Sequence, residues 1–438
     1  MRCGDCGKVF PVVAGIPILA REPAEYIATE LASMERSVRN ARRRRDANDD
    51  RLSRAANERH RDVSAAELAR SETLLALLAP ARAVLAASER TSKGTPRSGW
   101  TPDQLLPYLL RDWTDTEEFG AASAAICGAL ERAFPDRSNV TVVCAGCGAG
   151  GLLAELRGFA HVIGYDLSLP TLLAARHLLD GKTLDLSLPR AINPVGKIRL
   201  HTRSGAPAPV QLLAMDVLDT AFADGSLNCV ITSFMLDLLA DPRKLAGEIH
   251  RILSPGGVWI NYGPSGPLTA FWRFDQAESA AFLEASGFDV TDSKAYRTTY
   301  LDLSRDCPAW SFQNHVCYLT SGRKSDRSVK QANISAPART EIASVIPKHF
   351  PSATLIERRS LDTDQKRVTV LRREPIPGRS ESTQIGNQAA RILALVDGSR
   401  TVQDIANLIA EQESQPVEET FGAFEDFFRR EMLTWRKA

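Results

Sequence analysis

The chain has 438 residues, 44% hydrophobic and 24% charged, with a formal net charge of +1, which gives room for roughly two or three domains with their own cores. A balance this close to zero excludes the general attraction to nucleic acid or membrane surfaces of strongly basic chains. No apolar run reaches the length of a spanning helix, no secretory signal opens the chain, and the eight dispersed cysteines read as a reduced, cytoplasmic protein and not as a disulfide framework.

Residues 1–22 carry the pair Cys3 and Cys6, followed by VFPVVAGIPILA. A closed structural zinc site needs four ligands. No second knuckle follows, so a β-hairpin without a complete metal site within one chain is expected. Residues 23–132 are expected to be helical. The run SAAELARSETLLALLAPARAVLAA places apolar residues at helical spacing. Arg42 to Arg45 stand beside Asp46, Asp49 and Asp50 and read as a solvated helix face.

From residue 133 to 323 strands alternate with helices, which implies a mainly parallel sheet. Val140, Val142 and Val143 begin the first strand, Gly146, Gly148 and Gly150 form a turn, and the second strand ends at Asp166. The helix SLPTLLAARHLL leads to a Pro- and Gly-rich loop, Gly181 to Pro209. The next two strands end at Asp216 and near Ser233. The helix DPRKLAGEIHRIL stops at Ser254-Pro255-Gly256-Gly257 before VWINYGP, the fifth strand. Segments near Val290 and from His315 to Ser321 supply a final hairpin. Residues 324–385 read as linker, short strands between Thr354 and Arg372, and the loop IPGRSESTQIG. Residues 386–438 read as three amphipathic helices divided at Asp397-Gly398 and Pro416.

The glycine turn lets backbone approach a ligand, and an acid about 20 residues on accepts ribose hydroxyls. Nicotinamide and S-adenosylmethionine (SAM) sites share that much. The acid after the third strand and the Pro-Gly-Gly before the fifth fit a class I SAM methyltransferase. On this reading Gly146, Gly148 and Gly150 cradle the cofactor. Asp166 meets the ribose, Asp216 the adenine amino group and Val217 the ring, and Leu167 and Ser233 are further cofactor-binding candidates.

From about Leu105 to Arg323 the chain resembles the carnosine N-methyltransferase family. The residues carrying it are Arg111-Asp112-Trp113, the glycine turn, Gly164 to Ser168, Ala214-Met215-Asp216, and CVITSFMLDLLADPRKLAGEIHRILSPGGVWINYGP. The resemblance implies methylation of an imidazole nitrogen in a histidine dipeptide, with Asp237 binding the imidazole; the alternative for Asp237 is a helix cap. Three positions depart from the family. Its arginine after the glycine turn falls on Gly151, a histidine falls on Leu268, and tyrosines of the last strand fall on Gln313 to His315. The cofactor pocket is thus expected to be kept and the acceptor pocket rebuilt. His315 and Tyr300 are acceptor-side candidates, His315 having a strand-end surface position as its alternative.

The first 22 residues resemble the end of zinc-ribbon proteins that accompany some methyltransferases. The tail, through DG-x-x-T-V-x-x-I, resembles PqqD-like winged-helix domains, which bind leader peptides as an added strand. Packing or homodimerisation is the alternative; its acids, FGAFEDFF and EQESQPVEE, argue against DNA. The expected fold is α/β: a Rossmann-like methyltransferase sheet with a helical N-terminal region and a small winged-helix-like domain after residue 385. The expected function is SAM-dependent N-methylation of a histidine imidazole in a peptide docked by the tail. A small imidazole metabolite as acceptor, or a non-catalytic SAM-fold binding protein, are the alternatives.

Overall fold

The computed structural model describes residues 1–52, 58–87, 102–188, 196–202, 210–239, 242–264, 274–300, 313–325, 354–359, 367–376, 379–385, 395, 399–413 and 417, apart from residues 3, 5, 6, 8, 21 and 157. Cys3 and Cys6 lie outside them. Strands β1 (Val12–Val13) and β2 (Ile16–Pro17) form a hairpin through Ala14 and Gly15, at φ 50° and 78°. Positive φ at both central residues matches the right-handed twist of the strands. Helices α1 (Pro23–Leu52), α2 (Glu58–Ala76) and α3 (Ala79–Ala86) follow, α1 and α2 burying Val38, Ala41 and Leu68 together. Next come α4 (Pro102–Trp113) and α5 (Glu117–Ala133). Thr116 ends the break between them: its hydroxyl oxygen accepts the Phe119 amide at 3.3 Å. With Glu117 and Glu118 in the first turn, the positive end of α5 is doubly satisfied.

The sheet begins with β3 (Thr141–Ala145), α6 (Gly151–Glu155), β4 (His161–Asp166) and α7 (Leu169–Leu179). A hairpin of β5 (Leu184–Leu188) and β6 (Gly196–Leu200) precedes β7 (Val210–Ala214) and β8 (Leu227–Ser233). Then come α8 (Pro242–Ile252), β9 (Leu253–Gly263), α9 (Gln276–Ala285), β10 (Phe288–Tyr300) and β11 (Gln313–Lys324). The seven strands lie in the order β10-β11-β9-β8-β3-β4-β7. All are parallel to their neighbours except β11, antiparallel to both β9 and β10. Val142, Val143, Cys144 and Ala145 of β3 are all buried, as a central strand covered on both faces must be. The chain winds outward from β3 through β4 to β7, then returns to add β8 on the other side. That reversal opens a crevice at the C-terminal ends of β3 and β8, where open α/β sheets hold their ligands.

Three expectations need correction. The Gly181–Pro209 stretch is not all loop: Leu184, Leu186 and Leu188 alternate inward, and the buried Arg70 of α2 donates to the Ser187 carbonyl at 3.0 Å. Ser254 to Gly257 do not precede the fifth strand but open it, with Gly256 at φ 71° where the register against β8 jumps. The loop expected at IPGRSESTQIG contains a strand.

By compactness the chain divides in two: residues 1–236, 243–264 and 279–326 form one unit, and residues 237–242, 265–278 and 327–438 the other. The second unit has an antiparallel sheet of β12 (Thr354–Arg359), β13 (Arg367–Ile376) and β14 (Arg379–Ile385), in that order. It also holds α10 (Val402–Glu413). The Thr401 hydroxyl oxygen accepts the Asp404 amide at 3.1 Å, and the Asp404 carboxylate accepts the Thr401 amide at 2.9 Å, a reciprocal cap. Ile405, Ala406, Ile409 and Ala410 form its buried stripe. The other two helices expected in the tail lie outside the described residues. Among those described, no helix is long and apolar enough to cross a membrane.

Candidate active site at the glycine turn

The first unit holds a cavity at the C-terminal ends of β3 and β8. Gly146, Cys147 and Gly148 form one wall, Ser233 and Phe234 another, and Arg111 of α4 with Glu118 of α5 the third. The turn takes its shape from its glycines: Gly146 sits at φ 65°, and a Cβ there would fall 1.7 Å from the Met235 methyl. That positive φ is the conformation glycine adopts without strain. The Cys147 amide donates to the Tyr165 carbonyl at 3.0 Å and ties the turn to β4.

Asp166, at the end of β4, is held on both sides. One carboxylate oxygen accepts the Gly148 amide at 3.0 Å and the other the Ser168 amide at 2.9 Å. Burial pushes this carboxyl above its usual range, and these amides pull it partly back. Each carboxylate oxygen keeps a lone pair for a ribose hydroxyl. The Asp166 carbonyl accepts the Met215 amide at 3.0 Å, which sets the ends of β4 and β7 side by side. Asp216 and Leu167 are exposed and Val217 is half-buried there. Asp166, Leu167, Asp216 and Val217 therefore share one end of the sheet, and Gly146, Gly148 and Ser233 line the cavity. Gly150 does not: it opens α6 at φ 83°, and a Cβ there would press on the Ala175 methyl at 2.8 Å. Bare backbone there lets α6 pack on α7.

Arg111 is the residue that sequence reasoning quoted but gave no role. It lies over the rings of both Tyr108 and Phe234, 5.4 and 5.3 Å from their centres, and donates to Asp112 at 2.8 Å. Phe234 is itself at φ 51°, an uncommon conformation for a bulky residue that marks functional sites. With Glu118 buried at the same cavity, both signs of charge meet the glycine turn, a match for the zwitterionic end of an amino-acid-bearing cofactor. Cys144 and Cys147 also line it, but burial raises both thiols, so they are neutral walls and not nucleophiles.

Asp237 is 7% exposed on a 3-10 turn, Leu236–Leu238, just past β8. It therefore does not sit at the strand end itself, and it falls in the second unit. His315 pairs with Thr298 and Tyr300 with Gln313 at the far end of the β10–β11 hairpin, beyond the Tyr318–Gly263 pair that ends β9. The side chains of His315 and Tyr300 lie outside the described residues. Among the described residues no group of three or more His, Cys, Asp or Glu is placed to hold a metal.

Residues 143–260 match the family model described as a methyltransferase domain. The chain carries a SAM-dependent methyltransferase domain. Two curated relatives are carnosine N-methyltransferases. The mouse protein (Mus musculus) is 24% identical over 46% of this chain and 56% of its own length. The Drosophila melanogaster protein is 23% identical over 36% of this chain and 40% of its own. A demethylmenaquinone methyltransferase from Paenarthrobacter aurescens (strain TC1) is 28% identical over 26% of this chain and 44% of its own length. The chain thus spans less than two thirds of each of these relatives. Similar solved structures include phosphoethanolamine N-methyltransferase 2 of Haemonchus contortus with S-adenosyl-L-methionine (TM-score 0.37, 17% identity, 54% of this chain and 61% of that one). Another is the magnesium protoporphyrin IX methyltransferase of Synechocystis PCC 6803 (TM-score 0.36, 12% identity, 51% of this chain and 94% of that one).

Proposed function

We propose that the chain transfers the methyl group of SAM to an imidazole nitrogen of a histidine-containing peptide, which residues 386–438 dock. The observation that carries this reading is Asp237, a buried carboxylate shortly after β8 ends at Ser233. The similarity to two carnosine N-methyltransferases supports an imidazole nitrogen as acceptor.

Bound SAM supplies a methyl group on a sulfonium, and the chain's part is to align and desolvate its partner. Arg111 takes the cofactor's carboxylate and Glu118 its ammonium. Asp166 accepts the ribose hydroxyls, Asp216 the adenine amino group, and Leu167 and Val217 flank the base. Asp237 accepts the N–H of one imidazole nitrogen, which leaves the other nitrogen's lone pair toward the methyl. It then stabilises the positive charge that develops on the ring. His315 and Tyr300 remain acceptor-side candidates from their strand positions.

The similarity to carnosine N-methyltransferases also favours a second reading, a small histidine dipeptide as acceptor with the tail structural. One experiment separates the two. The chain is incubated with SAM and, in turn, a histidine-peptide library and carnosine, and products are read by mass spectrometry. A methylated peptide and unchanged carnosine support the first reading. Carnosine alone methylated supports the second, and neither methylated refutes both.

A further inference from the structure

The N-terminal segment reaches the cofactor end of the sheet at two points. The Leu19 amide donates to the Ala214 carbonyl at 2.8 Å, and Ile18 bridges Ala214 in parallel fashion, two residues before Asp216. Farther on, the Tyr26 hydroxyl of α1 donates to the Leu167 carbonyl at 2.7 Å, one residue after Asp166. Around that carbonyl the chain turns sharply, because the Asp166 carboxylate accepts the Ser168 amide at 2.9 Å. The carboxylate's second oxygen is fixed by Gly148. Its orientation therefore depends on the glycine turn on one side and on the Asp166–Ser168 turn on the other. Tyr26 is the side chain that pins this second turn from outside the sheet. Leu167, 47% exposed, is left with its side chain free to meet a base or sugar, while its carbonyl is occupied.

We infer that Tyr26 is a positioning residue for the ribose-binding carboxylate, and that residues 16–20 and 22–31 form the adenosine-side wall of the cofactor site. The inference rests on the reading of Asp166 as the ribose acceptor. An N-terminal segment tied beside both acids, at Ala214 and at Leu167, holds the two strand ends that carry them.

The test uses the full chain with S-adenosylhomocysteine and 5′-methylthioadenosine, measured by calorimetry. Tyr26→Phe removes only the hydroxyl. It is expected to weaken both ligands by the same factor, roughly 3- to 10-fold, the scale of one hydrogen bond. In an Asp166→Asn background the same change is expected to cost almost nothing, because the group it positions is no longer a carboxylate. Unchanged affinity in Tyr26→Phe, or an equal loss in both backgrounds, overturns the inference. Failure of the unmodified chain to bind either ligand instead refutes the cofactor site itself. Hydrogen exchange on the unmodified chain gives a reading free of any folding defect. S-adenosylhomocysteine is expected to protect amides of residues 22–31 and 167–172 along with the glycine turn. Protection of the glycine turn alone overturns the inference.

Discussion

The Gly151 amide donates to the Asp112 carboxylate at 3.2 Å, and a Cβ on Gly151 would stand 2.6 Å from the Asp112 carbonyl oxygen. The end of α4 thus packs directly on the start of α6, and the related arginine expected at this position has no room. The same α4 end brings Arg111 to the cavity. The indole N–H of Trp113, donating to the Ala149 carbonyl at 2.8 Å, anchors it there. One packing arrangement both fills the space at Gly151 and sets Arg111 at the cavity.

Gly151→Arg is accordingly expected to destabilise the fold, by about 1–3 kcal/mol, the usual cost of overfilling a packed site. Thermal melting without cofactor checks this. A variant that melts like the unmodified chain would mean that α4 moves freely from α6.

Arg111→Ala is expected to weaken SAM binding by on the order of 10- to 100-fold, as loss of a charged hydrogen bond does. The affinity for 5′-methylthioadenosine, which lacks the amino-acid end, should stay as it was. Equal losses for both ligands would place Arg111 in packing and not on the carboxylate.

The raised Asp166 carboxyl gives a pH dependence with a definite sign. Above its elevated value it is an ionised acceptor; as pH falls through that value it protonates and loses part of its capacity for ribose hydroxyls. SAM affinity should therefore fall on acidification at a pH above the ordinary Asp value of about 3.9. Asp166→Asn should bind weakly with no such step. A wild-type profile parallel to that of the variant would discount Asp166.

For Asp237→Asn turnover should drop on the order of 100-fold, the range for one preorganised electrostatic contact, with SAM affinity unaltered. Removing the chain after about Gly386 should raise the Michaelis constant for a long peptide and spare slow turnover on its short histidine core. Steady-state kinetics on both peptides checks the pair. Unaltered kinetics after truncation would exclude docking by the tail.

In the second unit, Thr401→Ala should cost about 1 kcal/mol of helix stability, the usual value for an N-cap. The Thr401 hydrogen bonds hold the Asp404 carboxyl below its usual range. Its contribution is therefore full above the unfolded value and fades as pH falls through the lowered one. Circular dichroism melts of the two chains at neutral and strongly acid pH should differ at the first and converge at the second.

The parallel strands were legible because buried central strands are written as short apolar runs, as in Val142 to Ala145. The acid positions were legible because each ends such a run. The hairpin of β5 and β6 was missed although Leu184, Leu186 and Leu188 alternate with a period of two, since the surrounding prolines and glycines outweighed five residues of pattern. Strand β14 was missed because RSESTQI carries no alternation, and its pairing with β13 supplies what its side chains do not announce. Arg111 and Tyr26 were invisible as site residues for another reason. Each acts on a partner far along the chain, Phe234 and Leu167, and no local spacing encodes such contacts.

β7 ends one side of the seven-stranded sheet, where Ile18 lies along it at Ala214. An uncovered outer strand is a template for pairing with another molecule. Ile16 and Ile18, both fully buried, would leave with that cover. Expression of a version starting at α1 would then yield a sticky particle, prone to associate strand to strand, even where its crevice were intact. The stretch from Ile16 to Leu19 thus bears on solubility as well as on the site, and trimming it for crystallisation or assay work would defeat its purpose.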